Sequence, residues 1–273
     1  MINRYFNEDN FARFLNDFSF LQKTFKAYKG ELDISLRDQY LNLYFRGNNA
    51  AKIMFKANGI YEIEIHEKFF SPRLEEDARF SSTLRGNYRV IRATSELLHP
   101  LLQKSHLDEI YSKIKRENYS EELNFEQMLM TDNLERDDLI LIDRQVTDKN
   151  LRGRRMDLLA LKQVQENHYQ FLVLEVKMGN NPELKDDVAE QVNTYIAHVN
   201  ENFKAYKKCY EKQYIQKKEF GLIETPMWDE IEIVKDVQGM IIVGGYSRLA
   251  QAQITTLKDN HPKLEVRSFT YRI

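Results

Sequence analysis

The sequence predicts an α/β fold in its second half, preceded by a smaller α+β domain. Two observations predict it. From about residue 118, one helical segment, three closely spaced strand-like segments, a long helical segment and another strand-like segment follow in the order αβββαβ. Before that point, a helical segment is followed by short strand-like segments that end at Asn and Gly. We therefore expect two domains, at residues 1–117 and 118–273.

The N-terminal elements are predicted from periodicity and turn residues. Residues 8–27 have a helical apolar face, formed by Phe11, Phe14, Leu15, Phe18 and Leu21. Strands are predicted over 41–45, 51–55 and 60–65, with Asn58-Gly59 as the hairpin turn between the last two. Residues 88–117 have a helical pattern that is interrupted at Pro100.

The C-terminal elements follow the same reasoning. Ser120 is a candidate N-cap for a helix that runs to about Met130. Strands are predicted over 139–146, 155–162 and 170–178, and a long helical stretch begins at Pro182. A buried strand over 239–244, a helix over 247–258 and a last strand over 264–272 complete the domain.

The composition is that of an ordinary globular protein, with 42% apolar and 30% charged residues in 273. The formal net charge of −2 means that any basic surface must be local. A single cysteine, Cys209, excludes an intramolecular disulfide and a multi-cysteine metal site, and it fits a reducing compartment. We see neither a signal peptide nor an apolar segment of the ~20 residues that a membrane span needs. We therefore expect a cytoplasmic protein without a membrane partner.

Charged residues occupy two of the predicted strands. Asp157 lies in the apolar segment 155–162, and Glu175 and Lys177 end the segment 170–178 on one face. Buried carboxylates cost free energy unless something compensates them. If these strands pair, Asp157 and Glu175 converge, and with the carbonyl of Val176 they form a hard oxygen site suited to Mg²⁺ or Mn²⁺. Lys177 would then orient a water or stabilise charge during phosphodiester hydrolysis.

This arrangement of Asp157 followed by Glu175-x-Lys177 resembles the PD-(D/E)XK nuclease superfamily, as does the segment 153–160, Gly-Arg-Arg-Met-Asp-Leu-Leu-Ala. Met156 stands where many members have the proline. The resemblance covers roughly residues 118–245. It implies a restriction-endonuclease-like αβββαβ core, in which a central mixed sheet is flanked by helices.

The resemblance adds further site residues. It implies a metal-binding glutamate on the first core helix, which is Glu126, with Glu122 as the alternative. It also implies a supporting glutamine in the pattern Gln-x-x-x-Tyr, matched by Gln191 and Tyr195. A structural role for Gln191 and a core position for Tyr195 remain open. Candidate substrate contacts are Tyr195 and three arginines, which could equally belong to a solvated loop: Arg144, Arg154 and Arg155.

We therefore expect a Mg²⁺- or Mn²⁺-dependent nuclease that acts on DNA as an endonuclease, with the N-terminal domain recognising a substrate or a partner. Two alternatives stay open. One is an inactive nucleic-acid-binding or assembly protein that retains the nuclease fold, and the other is an RNA-directed nuclease. A homodimer is also left open.

Overall fold

The computed structural model describes residues 2–28, 30–117, 120–151, 153–185, 187–225 and 228–270. The chain divides into two units. The first contains Asn3–Asp132 and Gln216–Ile223, and the second contains Met1–Ile2, Asn133–Ile215 and Glu224–Ile273. The division after Asp132 falls one helix later than the boundary expected at residues 117 and 118, so the first core helix belongs to the first unit.

The first unit is built around an antiparallel sheet of six strands, in the order β1-β2-β3-β4-β6-β5. The strands are β1 Leu32–Arg37, β2 Tyr40–Phe45, β3 Asn48–Phe55, β4 Tyr61–His66, β5 Ser82–Arg85 and β6 Tyr88–Ala93. The helices are α1 Glu8–Asp17, α2 Phe20–Ala27, α3 Pro72–Glu76, α4 Ser95–Leu101, α5 Lys104–Glu117 and α6 Glu121–Asp132.

Local sequence signals explain several of these elements. Asn58 and Gly59 both have positive φ, as the tight turn between β3 and β4 requires, so the predicted hairpin is confirmed. The hydroxyl of Ser120 accepts a hydrogen bond from the amide of Leu123 at 3.4 Å, which confirms Ser120 as the cap of α6.

Two expectations for the first unit are wrong. The helix predicted over 8–27 is divided into α1 and α2, and the division leaves Phe14, Phe18 and Leu21 fully buried. Residues 88–93 form a strand instead of a helix, because β6 pairs with β4 on one side and with β5 on the other. Hydrogen bonds to two neighbouring strands outweigh the local helical pattern.

The second unit contains a mixed sheet in the order β11-β10-β9-β8-β7. β7, β8 and β9 are antiparallel neighbours, whereas β9, β10 and β11 are parallel. The strands are β7 Leu139–Thr147, β8 Arg155–Gln165, β9 His168–Met178, β10 Glu232–Gly244 and β11 Glu265–Ser268. The helices are α7 Asp187–Glu201, α9 Ser247–Asn260 and the first part of α8 Phe203–Glu219, whose residues from Gln216 onward belong to the first unit.

The predicted order of elements from α6 to β11 is confirmed, with the long helical stretch divided into α7 and α8 at Asn202. The last strand is shorter than the predicted 264–272, and residues 271 and 272 lie outside the described residues. α7 and α9 pack with the side chains of Ile241 and Val243 on one face of the sheet. In the described part of the chain, no helix is long and apolar enough to cross a membrane.

Candidate active site

Asp157 lies at the point where β8 and β9 stop pairing. Backbone pairing between the two strands runs from Gln165–His168 to Leu158–Leu174. One residue further, the Asp157 carboxylate accepts a hydrogen bond from the amide of Val176 at 2.9 Å, while Met156 still pairs with β7. At this end of β8, a hydrogen bond to the Asp157 carboxylate therefore replaces the backbone hydrogen bonds between β8 and β9.

Glu175 and Lys177 project from the same face of β9, because strand side chains alternate. Both are buried, with 2% and 6% of their surfaces exposed, and Asp157 is 8% exposed. The ammonium of Lys177 donates to Glu175 Oε1 at 3.0 Å. The three residues form a buried charged cluster at the carboxyl end of β9, the end at which open sheets with parallel strands commonly bind ligands.

Burial raises the pKa of Asp157, and the Val176 amide and Lys177 offset only part of that effect. Burial also disfavours the charged form of Lys177, but the attraction of Glu175 and Asp157 outweighs it and raises the pKa of the ammonium. Lys177 therefore stays cationic at neutral pH. When Asp157 and Glu175 are both ionised, a single ammonium leaves a net negative charge on the cluster, which favours a bound cation.

Glu183 is a residue of this cluster that the sequence reasoning missed. It lies on the 3-10 turn Pro182–Leu184, where its Oε2 accepts from Lys177 Nζ at 3.0 Å and from Gln191 Nε2 at 3.5 Å. The hydrogen bond from Lys177 lowers the pKa of Glu183. Gln191 is thus linked to the cluster through Glu183. The segment Asn181-Pro182-Glu183 could have indicated it, because Asn followed by Pro predicts the start of a helical turn with the glutamate at its beginning.

Tyr195 has a structural contact. Its hydroxyl donates to the carbonyl oxygen of Arg155 at 3.0 Å and its side chain is buried, so it ties α7 to the first residue of β8. Burial, with the nearby charges of Glu175 and Asp157, raises the pKa of Tyr195 to about 12. This geometry agrees with the alternative that Tyr195 is a core aromatic.

The predicted arginine contacts divide into two groups. Arg154 and Arg155 are exposed where β8 begins, so they are accessible to a ligand at the surface. Arg144 on β7 is fully buried. A buried guanidinium does not reach a phosphate on the protein surface, so Arg144 is removed from the expected substrate contacts.

The predicted helix acid belongs to the other unit. Glu126 is buried on α6, with 1% of its surface exposed, and Glu122 on the same helix is half-buried. Both lie in Asn3–Asp132. The cluster within the second unit therefore consists of Asp157, Glu175, Lys177 and Glu183, with Gln191 attached to it.

The residues of the cluster fit a small divalent cation. Mg²⁺ is usually held by one or two carboxylates and keeps several waters. Asp157 and Glu175 supply that donor type, and their burial beside each other makes a counter-charge favourable. Over the described ranges, no group of three or more His, Cys, Asp or Glu side chains forms a fuller ligand set. These residues suit a site with few protein ligands, completed by water and substrate.

No protein-family model matches the chain, and neither the curated proteins nor the solved structures contain a match.

Proposed function

We propose that the protein is a metal-dependent nuclease of the PD-(D/E)XK type, that the sheet β7–β11 belongs to a restriction-endonuclease-like domain, and that the protein acts on DNA as an endonuclease. The observation that carries the proposal is the convergence of Asp157, Glu175 and Lys177 in one buried cluster at the end of β9. Burying two acids and a lysine costs folding free energy. The same groups, placed together, are useful for phosphodiester hydrolysis.

Asp157 and Glu175 would hold Mg²⁺ or Mn²⁺ together with the carbonyl of Val176. When bound, the metal supplies Lewis acidity for the phosphoryl oxygens and lowers the pKa of a water. Lys177 would orient an attacking water and stabilise the negative charge that develops on the phosphate. Glu183 accepts from the ammonium of Lys177, and Gln191 donates in turn to Glu183. Arg154 and Arg155 would contact the phosphates of the substrate.

A cleavage assay tests the proposal. Supercoiled plasmid, single-stranded DNA and RNA are each incubated with the protein in Mg²⁺, in Mn²⁺ and in EDTA. We expect DNA cleavage that depends on the metal and is lost in Asp157→Asn and Lys177→Met. The matched control is Lys162→Met, a lysine on the same sheet that bonds Gln238 instead of the cluster.

The outcomes separate the alternatives. Cleavage that persists in EDTA or in Lys177→Met overturns the proposed mechanism. Cleavage of RNA alone identifies an RNA-directed nuclease. Binding of DNA without cleavage, unchanged by Asp157→Asn, identifies a binding protein that has kept the fold and not the activity.

A further inference from the structure

Glu183 gives the ammonium of Lys177 a second acidic partner. Its Oε2 lies 3.0 Å from Lys177 Nζ, and Nζ also lies 3.0 Å from Glu175 Oε1. The two acids belong to different elements, Glu175 to β9 and Glu183 to the 3-10 turn that follows it. Among the described residues, Glu183 is not part of any group of three or more side chains that could hold a metal. Its contact is therefore with the lysine, and not with a set of metal ligands.

The turn that carries Glu183 is held by contacts that do not involve Lys177. The side chain of Asn181 accepts a hydrogen bond from the amide of Glu183 at 2.9 Å, and Pro182 fixes the first helical position of the turn. Leu184, the next residue, is 1% exposed and packs in the core with α7 and α9. The backbone of Glu183 is therefore fixed beside the cluster by the fold itself.

The two carboxylates would differ once a metal is bound. Under the proposed function Glu175 is a metal ligand, and a carboxylate whose charge is offset by a divalent cation attracts a nearby ammonium less strongly. Glu183 is not needed as a ligand and keeps its full charge for Lys177. Its side chain is 41% exposed, so ionisation does not carry the cost of full burial.

We propose that Glu183 is a positioning residue that keeps the ammonium of Lys177 in the site when Glu175 serves as a metal ligand. The inference rests on the proposed function, because it assigns Glu175 to the metal and Lys177 to the reaction. Without the charge of Glu183, the ammonium depends on Glu175 alone, so metal binding has to compete with Lys177 for one carboxylate. Loss of that charge should therefore weaken metal binding and slow cleavage, whereas loss of Lys177 should strengthen metal binding and slow cleavage.

Glu183→Gln tests this role, because it removes the charge and keeps the size of the side chain and an oxygen that can accept. Mn²⁺ binding is measured by electron paramagnetic resonance of the free ion, and plasmid cleavage is measured over a series of Mn²⁺ concentrations. We expect about tenfold weaker Mn²⁺ binding and about tenfold slower cleavage at saturating Mn²⁺, the effect of weakening one charge-assisted hydrogen bond. Glu190→Gln is the matched control, since it removes the same charge from an exposed side chain in the first turn of α7.

The double variant Glu183→Gln with Lys177→Met shows whether Glu183 acts through Lys177. It should bind Mn²⁺ and cleave like Lys177→Met alone, because the contact is already lost. A direct electrostatic effect of Glu183 on the metal would instead persist without Lys177 and would weaken Mn²⁺ binding in the double variant as well, which overturns the proposal.

The remaining outcomes separate this inference from the nuclease function. A cleaving wild type with unchanged Mn²⁺ binding and cleavage in Glu183→Gln overturns the role of Glu183 alone. A wild type that cleaves no nucleic acid, together with the expected pattern of Mn²⁺ binding in the three variants, overturns the nuclease function and supports the role of Glu183.

Discussion

Lys177 shows how a single residue connects stability with the proposed chemistry. Its ammonium lies 3.0 Å from Glu175 and 3.0 Å from Glu183, and it is nearly buried. Because its pKa is raised in the folded protein, the stabilisation that it contributes is fully present at neutral pH. That contribution is lost only as the pH rises through the folded pKa, above the ordinary range of lysine. Lys177 is therefore suited to act as a fixed cation and unsuited to act as a general base.

Lys177→Met should affect both properties. Cleavage should fall by about 10²–10³-fold, as when one preorganised charge is removed from an active site. The free energy of unfolding should fall by about 3–5 kcal/mol, because the acids lose their buried partner. Plasmid cleavage and urea unfolding measure the two effects, with Lys162→Met as the control. A variant with wild-type cleavage would show that the ammonium has no part in the reaction.

Asp157→Asn should stabilise the metal-free protein. The raised pKa of Asp157 means that this carboxyl group lowers stability as the pH rises from the ordinary pKa of aspartate to the higher folded pKa, whereas the amide avoids this cost and can still accept from Val176. We expect a higher melting temperature at pH 7, by about 2–4 °C for each kcal/mol gained, and a smaller difference in acid.

The same variant also tests the metal site. Mg²⁺ should raise the melting temperature of the wild type and leave that of Asp157→Asn unchanged, because a ligand that binds only the folded state stabilises it. Scanning calorimetry at several pH values, with and without Mg²⁺, measures both effects. A lower melting temperature for the metal-free variant at pH 7 would contradict the cost assigned to the ionised carboxylate.

Most of the cluster could be predicted from the sequence because strand alternation alone places Glu175 and Lys177 on one face. The segment Asn181-Pro182-Glu183 indicates a turn that carries Glu183, but its contact could not be predicted, since it depends on how that turn directs the side chain toward Lys177. Nor could the burial of Arg144, because arginine is rarely fully buried and its sequence neighbours do not reveal its environment.

At the scale of elements, α7 rests on β10 at a position that only glycine fits. A Cβ at Gly239 would collide with Val192 Cγ1 and would lie 2.6 Å from Ile196 Cδ1. The absence of a side chain therefore lets the helix approach the strand closely, beside Gln191 and Tyr195 of α7.

Gly239→Ala should lower the free energy of unfolding by about 1–3 kcal/mol through overpacking. Adding Val192→Ala makes room for the new methyl group, so the double variant should lose less stability than the sum of the single variants. Urea unfolding of all three variants measures the coupling. Simple additivity would contradict the contact as described.

The elements that the sequence predicts well are those with strong local signals, such as the Asn58-Gly59 hairpin and the apolar strands β8 and β9. The strand β6 was not predictable from its own residues because it forms by pairing with two other strands. One is β4, which is distant in the chain, and the other is β5, which is joined to β6 by a short turn. Tertiary pairing decides such segments, and periodicity within a short window does not contain that information.

At the scale of the whole molecule, the first unit is discontinuous in sequence. Phe220 is fully buried in its core and stacks on Phe14 with centroids 4.0 Å apart. Gln216 bonds the backbone of Phe6 twice, at 2.9 and 2.8 Å. Residues 216–223 thus complete a core that begins near the N-terminus, which no local pattern in the sequence indicates.

Phe220→Ala should lower the free energy of unfolding by about 3–5 kcal/mol, because it leaves a large cavity in this core. Leu84→Ala is the control, since Leu84 belongs to the same unit and is 56% exposed. Urea unfolding followed by near-ultraviolet circular dichroism measures the difference. Equal effects of the two substitutions would contradict the assignment of residues 216–223 to the first unit.

The discontinuity also sets an order of events on the ribosome. Domains generally fold from the N-terminus while the chain is made, at about 5–20 residues per second. Here the segment that ends at Asp132 must wait for Phe220 and its neighbours before its core is complete. At those rates the wait is about 5–20 s, and during that time the entire strand cluster β7–β9 is synthesised. The nascent N-terminal sheet therefore keeps an incomplete core for longer than its position in the sequence suggests.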